Sequence, residues 1–283
     1  MPEQPESSHG FVLVRRRPGL PLAGLVTDLV GYRETMPCLR RQREVASLTV
    51  PIIVNLGTPF LIAYGREPLP QDRQESFAAG VHDGLVEIRS DGAAECLQID
   101  FTPLGAYRIF GGALAELSSR MVDLDALFGA AGGRLRQRLW EEPVWDRRFD
   151  LLEAFLGRRL RFSPSPEVAW AYRALVAAAE SPRVAAVAAE IGWSRKYLSR
   201  RFRAEVGAGP KTVARLARFG RACRLTQESG LSWAAIAHGC GYADQAHLVR
   251  EFGDFAGEPP TAWAATMAAR DPRLRRLAAD TAG

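Results

Sequence analysis

The sequence predicts an α+β chain in two halves: an antiparallel β half with trailing helices, then an all-α half. Three observations carry this expectation. From Phe11 to Phe101, short β-rich runs alternate with tight-turn signals. From Val184 to Trp263, a helix–glycine–helix pattern occurs twice, with Gly192 and Gly241 placed 49 residues apart. The charge divides as well. Residues 181–283 carry 16 Lys and Arg against 9 Asp and Glu, whereas residues 1–180 carry 21 against 23.

Composition bounds the answer. The chain has 283 residues, 47% hydrophobic and 24% charged, which is room for two ordinary cores in a globular protein. Its opening, MPEQPESSHG, lacks the basic start and apolar centre of a signal peptide. No apolar run approaches the roughly 20 residues that span a bilayer. The expected location is the cytoplasm, with no membrane partner. Only two of the 37 basic residues are lysines, so the number of arginines reflects a compositional bias, and the asymmetry between the halves is the better signal of a phosphate-binding half.

In chain order, residues 1–10 read as a disordered lead. Strands are expected at 11–14, 24–32, 50–56, 60–64, 77–81, 85–89 and 95–101. Gly57-Thr58-Pro59 and Ser90-Asp91-Gly92 are turns between them. Cys96, Gln98 and Asp100 alternate with Leu97, Ile99 and Phe101, so one face of that strand is apolar. The spacing suits a small antiparallel barrel or sandwich. Asn55, Tyr64, His82, Gln98 and Asp100 are polar positions among these strands. The solvent face of a sheet is the first reading for each, and a ligand pocket the second.

Helices follow at 104–110, 113–120 and 124–139, the last interrupted by Gly132-Gly133, and then at 145–160. In the last of these, Phe149, Leu152, Leu156 and Leu160 form a stripe, read first as intradomain packing and second as a dimer contact. Ser163-Pro164-Ser165-Pro166 is the clearest linker, and a helix over 167–180 leads into the basic half.

That half holds the motif that organises the chain. A short Ala-rich helix over 184–191 stops at Gly192, which supplies a left-handed turn residue. Ser194 stands at the N-cap of a second helix, 195–205. At about 100° per residue, Leu198 and Phe202 share one side of it, with Val206 at the margin. Lys196, Ser199, Arg200 and Arg203 share the other. Two short helices joined by a glycine turn, the second carrying long donors outward, suit a major groove. Leu231 to Gly257 repeats the pattern, and a helix over 210–227, opened by Pro210, connects the two.

These residues resemble the DNA-binding domain of the AraC/XylS family of transcription regulators. The matching positions are Ala188, Gly192, Ser194, Leu198, Arg200 and Phe202 in the first unit, and Arg218, Phe219 and Ala222 on the connecting helix. In the second unit they are Ile236, Ala237, Gly241, Gln245, His247, Arg250, Phe252 and Pro259. The resemblance implies a cupin-like barrel over 1–165 that senses an effector or mediates dimerisation. It implies a double helix-turn-helix domain over 166–266, and 267–283 is left as a basic tail. The expected DNA-binding residues are Ser194, Arg195, Lys196, Ser199, Arg200, Arg203, Gln245, His247 and Arg250. Lys196, Ser199 and Arg200 are assigned to base edges, and Arg195 and Arg203 to phosphates. Expected partners are double-stranded DNA, a small-molecule effector, a second copy of the chain, and RNA polymerase if the protein activates. The residues that touch the effector are not readable from the sequence.

Ala243 stands where the family has a capping residue, so the second reading helix is expected to begin differently, at Asp244. The stretch 195–205 has five basic residues and one acid, whereas 244–255 has Arg250 alone against Asp244, Glu251 and Asp254. The units are therefore expected to contribute unequally. Asp254 is expected to repel a phosphate that comes near. The first unit supplies most of the affinity unless Arg215, Arg218, Arg221 and Arg224 or the tail arginines (Arg270, Arg273, Arg275, Arg276) make up the deficit.

Catalysis, cofactors and metals are not expected. Metal-dependent cupins use a His-x-His pair, whereas the first half has only His9 and His82, and His238-Gly-Cys240 offers two ligands at awkward spacing. Pro37-Cys38-Leu39-Arg40 superficially resembles an alkyltransferase motif. Leu39 replaces the base that would activate the thiol, which argues against a repair enzyme. A regulator controlled by a protein partner instead of a ligand stays open.

Overall fold

The structure is a computed structural model that describes residues 6–8, 10–177, 183–228 and 230–270. His9, residues 178–182 and residues 271–283, with Arg273, Arg275 and Arg276 of the expected tail, lie outside the described residues.

The first half contains strands β1 (Glu6–Ser8), β2 (Phe11–Arg16), β3 (Val26–Glu34), β4 (Arg40–Glu44), β5 (Val50–Asn55), β6 (Phe60–Tyr64), β7 (Arg73–Gln74), β8 (Phe77–Ala79), β9 (Val86–Ser90), β10 (Glu95–Phe101) and β11 (Met121–Asp123). They form two antiparallel sheets. The larger has the order β1-β2-β3-β10-β5-β8-β11, and the smaller β4-β9-β6-β7. The sheets face each other without closing into the expected barrel; the architecture is an open, cupin-like sandwich. The turns at 57–59 and 90–92 each carry the chain from one sheet to the other. Glu34 of the large sheet accepts from Ser90 Oγ of the small one and from the Ala94 N–H at 2.9 Å, which pins the two together at one end.

The large sheet has two apolar faces because it is sandwiched. Val50, Ile52 and Val54 of β5, with Leu97, Ile99 and Phe101 of β10, are buried in the main core beneath the helices. Ile53, Phe77, Ala79 and Cys96 face the opposite way and join Ile62 of the small sheet in a second, smaller apolar cluster.

Helices α1 (Pro103–Phe110), α2 (Leu124–Phe128), α3 (Ala130–Glu141) and α4 (Trp145–Gly157) complete the first half. Thr102 caps α1 by accepting from the Gly105 N–H. Phe149, Leu152 and Leu156 of α4 are buried in the same core, which supports the intradomain reading of their stripe. The second half contains α5 (Pro166–Ala177), α6 (Val184–Glu190), α7 (Arg195–Val206), α8 (Pro210–Glu228), α9 (Trp233–Gly239), α10 (Gln245–Ala256) and α11 (Pro260–Arg270).

Several expectations are corrected. Of the expected disordered lead, residues 1–5 lie outside the described residues, and residues 6–8 form β1, which pairs with β2 from Glu6↔Leu13 to Ser8↔Phe11. β4, Arg-Arg-Gln-Arg-Glu, has no apolar alternation, and it forms an edge strand held by pairing to β9 alone. The helix break falls at Gly129, whose φ of 56° only glycine adopts cheaply, while Gly132 and Gly133 lie inside α3. The segment expected to be helical over 113–120 is a 3-10 helix over Gly111–Leu117, and α4 ends before Leu160. The linker is docked. Ser165 donates its backbone N–H to Glu205 at 2.6 Å and its hydroxyl to the same carboxylate.

Candidate nucleic-acid interface and inter-sheet cavity

The two helix-turn-helix units repeat bond for bond. At the first turn, Gly192 has φ 70° and donates to Ala189 O, while Trp193 donates to Ala188 O. At the second, Gly241 has φ 75° and donates to His238 O, while Tyr242 donates to Ala237 O. Each reading helix ends on a left-handed glycine, Gly207 at φ 75° and Gly257 at φ 72°. Between turn and helix the second unit is one residue longer. Ser194 caps α7 by accepting from the Tyr197 N–H at 3.2 Å, and Asp244 caps α10 by accepting from the His247 N–H at 2.7 Å. The extra residue is Ala243. From Ser194 onward the repeat spacing is therefore 50 residues, which pairs Arg200 with Arg250 and Tyr197 with His247.

The buried faces match the periodicity. Leu198, Phe202 and Val206 of α7 are fully buried, as are Leu248, Phe252 and Phe255 of α10. In the second unit Phe219 of α8 packs edge-on against both Phe252 and Phe255. On the outer face of α7, Arg195, Lys196, Arg200 and Arg203 are exposed, Ser194 is exposed beside them, and Ser199 is half-buried. Those four cations have no ion pair among the described residues, whereas Arg201 is turned onto Glu205. Arg200 lies over the Tyr197 ring, 5.0 Å from its centre. Tyr197, 39% exposed between these cations, is a surface residue that the charge pattern did not single out.

On α10, Gln245, Ala246, Val249 and Arg250 are exposed. His247 is half-buried. Its ring meets Tyr242 edge-on at 5.2 Å, as Tyr197 meets Trp193 at 4.7 Å, so it occupies the supporting position of the turn aromatic's partner.

The acids of the second unit are answered from the connecting helix. Glu251 is buried and pairs with Arg215 at 2.8 Å and Arg218 at 2.7 Å; Asp254 pairs with Arg215 at 3.0 Å. Burial opposes the Glu251 charge, but the two guanidinium groups hold its carboxyl below the ordinary range. The expected repulsion between Asp254 and phosphate is thus offset within the fold. Arg221 donates to Val176 O at 3.1 Å, so three of the four connecting-helix arginines point inward, and Arg224 stays exposed.

A cavity of about 730 Å³ lies between the two sheets. Four of the five polar strand positions line it: Tyr64, His82, Gln98 and Asp100. This overturns their first reading as a solvent face. Asn55 is elsewhere, accepting from the Gly57 N–H and donating to Thr58 O at the inter-sheet turn. The loop 45–49 forms part of the cavity wall, and its Ala46 N–H donates to the Phe255 carbonyl of α10. Cys38 is exposed on the β3–β4 loop beside an exposed Leu39. Among the described residues no group of three or more His, Cys, Asp or Glu is arranged to hold a metal, and no helix is long and apolar enough to cross a membrane.

A family model for a helix-turn-helix domain matches residues 187–266, from α6 into α11. No curated protein matches the chain. Among solved structures, the chain is similar to the DNA-binding domain of AdpA, a global transcriptional factor, determined in complex with a target DNA. The identity is 33%, covering 38% of this chain and 93% of that one, with a TM-score of 0.33. It is also similar to ToxT from Vibrio cholerae O395, at 11% identity over 80% of this chain and 95% of that one, TM-score 0.45. A third likeness is to the AraC-like transcriptional activator CuxR, at 13% identity over 79% and 86%, TM-score 0.34.

Proposed function

The chain belongs to the AraC type of helix-turn-helix proteins, DNA-binding regulators of transcription, and from that premise we propose that it reads a specific sequence with α7 and α10 and answers to a small molecule held between its sheets. The observation that carries the DNA reading is the duplicated unit with unpaired cations on its outer face. Arg200 is assigned to a guanine, because its planar fork can bond O6 and N7 together. Lys196 and Ser199 reach neighbouring base edges, while Arg195 and Arg203, with Ser194 at the helix start, meet phosphates. In the second unit Gln245 and Arg250 supply the polar contacts. Val249 and Ala246 offer apolar contact to thymine methyl groups. His247 supports the turn more than it reads bases. The two helices enter successive major grooves about 34 Å apart.

In this reading residues 1–165 regulate and 166–266 bind DNA. The cavity wall and the second reading helix share the Ala46–Phe255 hydrogen bond, so a ligand that moves the 45–49 loop acts directly on α10. Selection of binding sites from a random duplex library with the full chain tests the assignment. The expected result is a defined site bound at least about a thousandfold more tightly than scrambled DNA. Equal affinity for both would overturn sequence-specific recognition.

A further inference from the structure

We infer that the small molecule taken between the two sheets is an amphiphilic cation, with an ammonium or amidinium head on Asp100 and an apolar or aromatic body along the wall formed by Ile53, Ile62, Phe77 and Ile88. This inference rests on the effector reading above and deepens it by naming the ligand's chemistry.

The argument begins with which lining charges are already balanced. Three arginines line the cavity, and each is paired with an acid off its wall: Arg15 with Asp28, Arg40 with Glu34 at 3.8 Å, and Arg41 with Glu67 at 3.0 Å. An anionic ligand would have to draw one of them from its partner. His82 adds no positive charge at neutral pH, because burial holds its imidazole below the ordinary range.

Asp100 is different. It stands on β10 with Gln98 on its cavity face, two residues apart, and the Gln98 amide donates to both carboxylate oxygens at 3.0 and 3.1 Å. That amide is neutral, so the charge itself is not answered by a hydrogen-bonded cation. Burial, with Asp28 nearby, pushes the Asp100 carboxyl upward, against the Gln98 hydrogen bonds and the charge of Arg15. A carboxylate in this position gains most from a donor that carries positive charge.

Beyond Asp100 the lining turns apolar, and it includes the aromatic rings of Phe60, Tyr32 and Tyr64, the last tilted against His82 with ring centres 4.0 Å apart. Aromatic faces tolerate a cation as well as an apolar body. A volume of about 730 Å³ falls in the range that encloses a small organic ligand.

The test uses the full-length protein and three probes that share a ring and a two-carbon chain: phenethylamine, 2-phenylethanol and phenylacetate. Calorimetric titration and thermal shift at neutral pH should show the amine binding about tenfold more tightly than the alcohol or the acid. Asp100→Asn, which keeps the volume and a hydrogen-bonding group, should bring the amine to within about threefold of the alcohol. A second variant, Ala79→Trp, fills the cavity from β8, two strands from β10 in the same sheet, and should abolish binding of the amine even if the first fails to fold. Equal or tighter binding of the alcohol or the acid would overturn the cation while leaving a ligand-responsive cavity. A preference for the amine that survived in Asp100→Asn would also overturn it. If none of the three probes bound, both the cation and the effector reading of the cavity would fall.

Discussion

The backbone N–H of Ala46 donates to the carbonyl oxygen of Phe255 at 3.0 Å, joining a wall of the inter-sheet cavity to the last turn of the second reading helix. The carbonyls of a helix's final turn have no partner within the helix, so an outside donor satisfies one of them. The contact continues at Gly257, where a side-chain carbon would meet Leu85 of the β8–β9 connection at 2.8 Å. Gly257→Ala is therefore expected to destabilise the full chain by about 1–3 kcal/mol, from a left-handed backbone and a clash. The double variant with Leu85→Ala should recover the clash but not the backbone strain. Thermal or urea unfolding checks both, and full recovery would show that the backbone at 257 tolerates a side chain.

Arg200 and Arg250 occupy equivalent places but unequal surroundings. Among the described residues, three further cations without an ion pair share the outer face of α7, and none shares that of α10. Arg200→Ala should cost about 1–3 kcal/mol and relax preference at one base position. Arg250→Ala should cost less on the same site. Titrations at several salt concentrations make the comparison. An equal or larger loss from Arg250→Ala would sink the asymmetry, and a loss from Arg200→Ala that was uniform over all sequences would move Arg200 to a phosphate.

Glu251 holds two arginines of the connecting helix. Glu251→Gln removes the charge and leaves Arg215 and Arg218 facing a neutral amide in a buried place, an expected loss of about 3 kcal/mol. The pH dependence follows from the lowered carboxyl. Its contribution is fully present above the unfolded value of about 4.3 and is lost as pH falls through the lower folded value. The wild type should lose stability over that acid window, and the variant should lose less there. Parallel acid titrations in wild type and variant would disprove the role.

The caps of the two reading helices are different residues doing one job. Ser194→Ala and Asp244→Ala should each cost about 1 kcal/mol of stability. Asp244→Ala should shift the start of α10 as well, since Ala243 cannot cap in its place. Amide exchange at Tyr197 and His247 reads the loss directly, and unchanged protection at either N–H would rule out its cap.

The DNA-binding fragment is the test of the division between halves. Residues 166–283 should bind DNA with a steep loss of affinity between about 50 and 200 mM salt, because phosphate contacts release counterions. Ser165 and the 3-10 segment at 111–117 contact α7 in the whole chain. The fragment is therefore expected to be less stable than the whole chain. A fragment that folds yet does not bind would refute the assignment of DNA contacts to this half.

The sequence by itself determined the two helix-turn-helix units, their caps, their turn glycines and their buried faces. These features are local: a left-handed glycine, a capping oxygen and a 3.6-residue stripe act within a few residues of one another. Seven strands of the first half were legible for the same reason, through alternation and turns. β4 was not legible, because its residues are polar and pairing to β9 alone makes it a strand.

Only the tertiary structure decided where the charges and the polar strand residues go. Arg201, Arg215 and Arg218 look in sequence like the cations of α7 that face outward. Which of them meets an acid depends on Glu205 and Glu251 being buried beside them, and on helices that pack across the chain. Likewise Tyr64, His82, Gln98 and Asp100 would face water on a single sheet. They line a cavity because a second sheet covers the face that alternation had left polar.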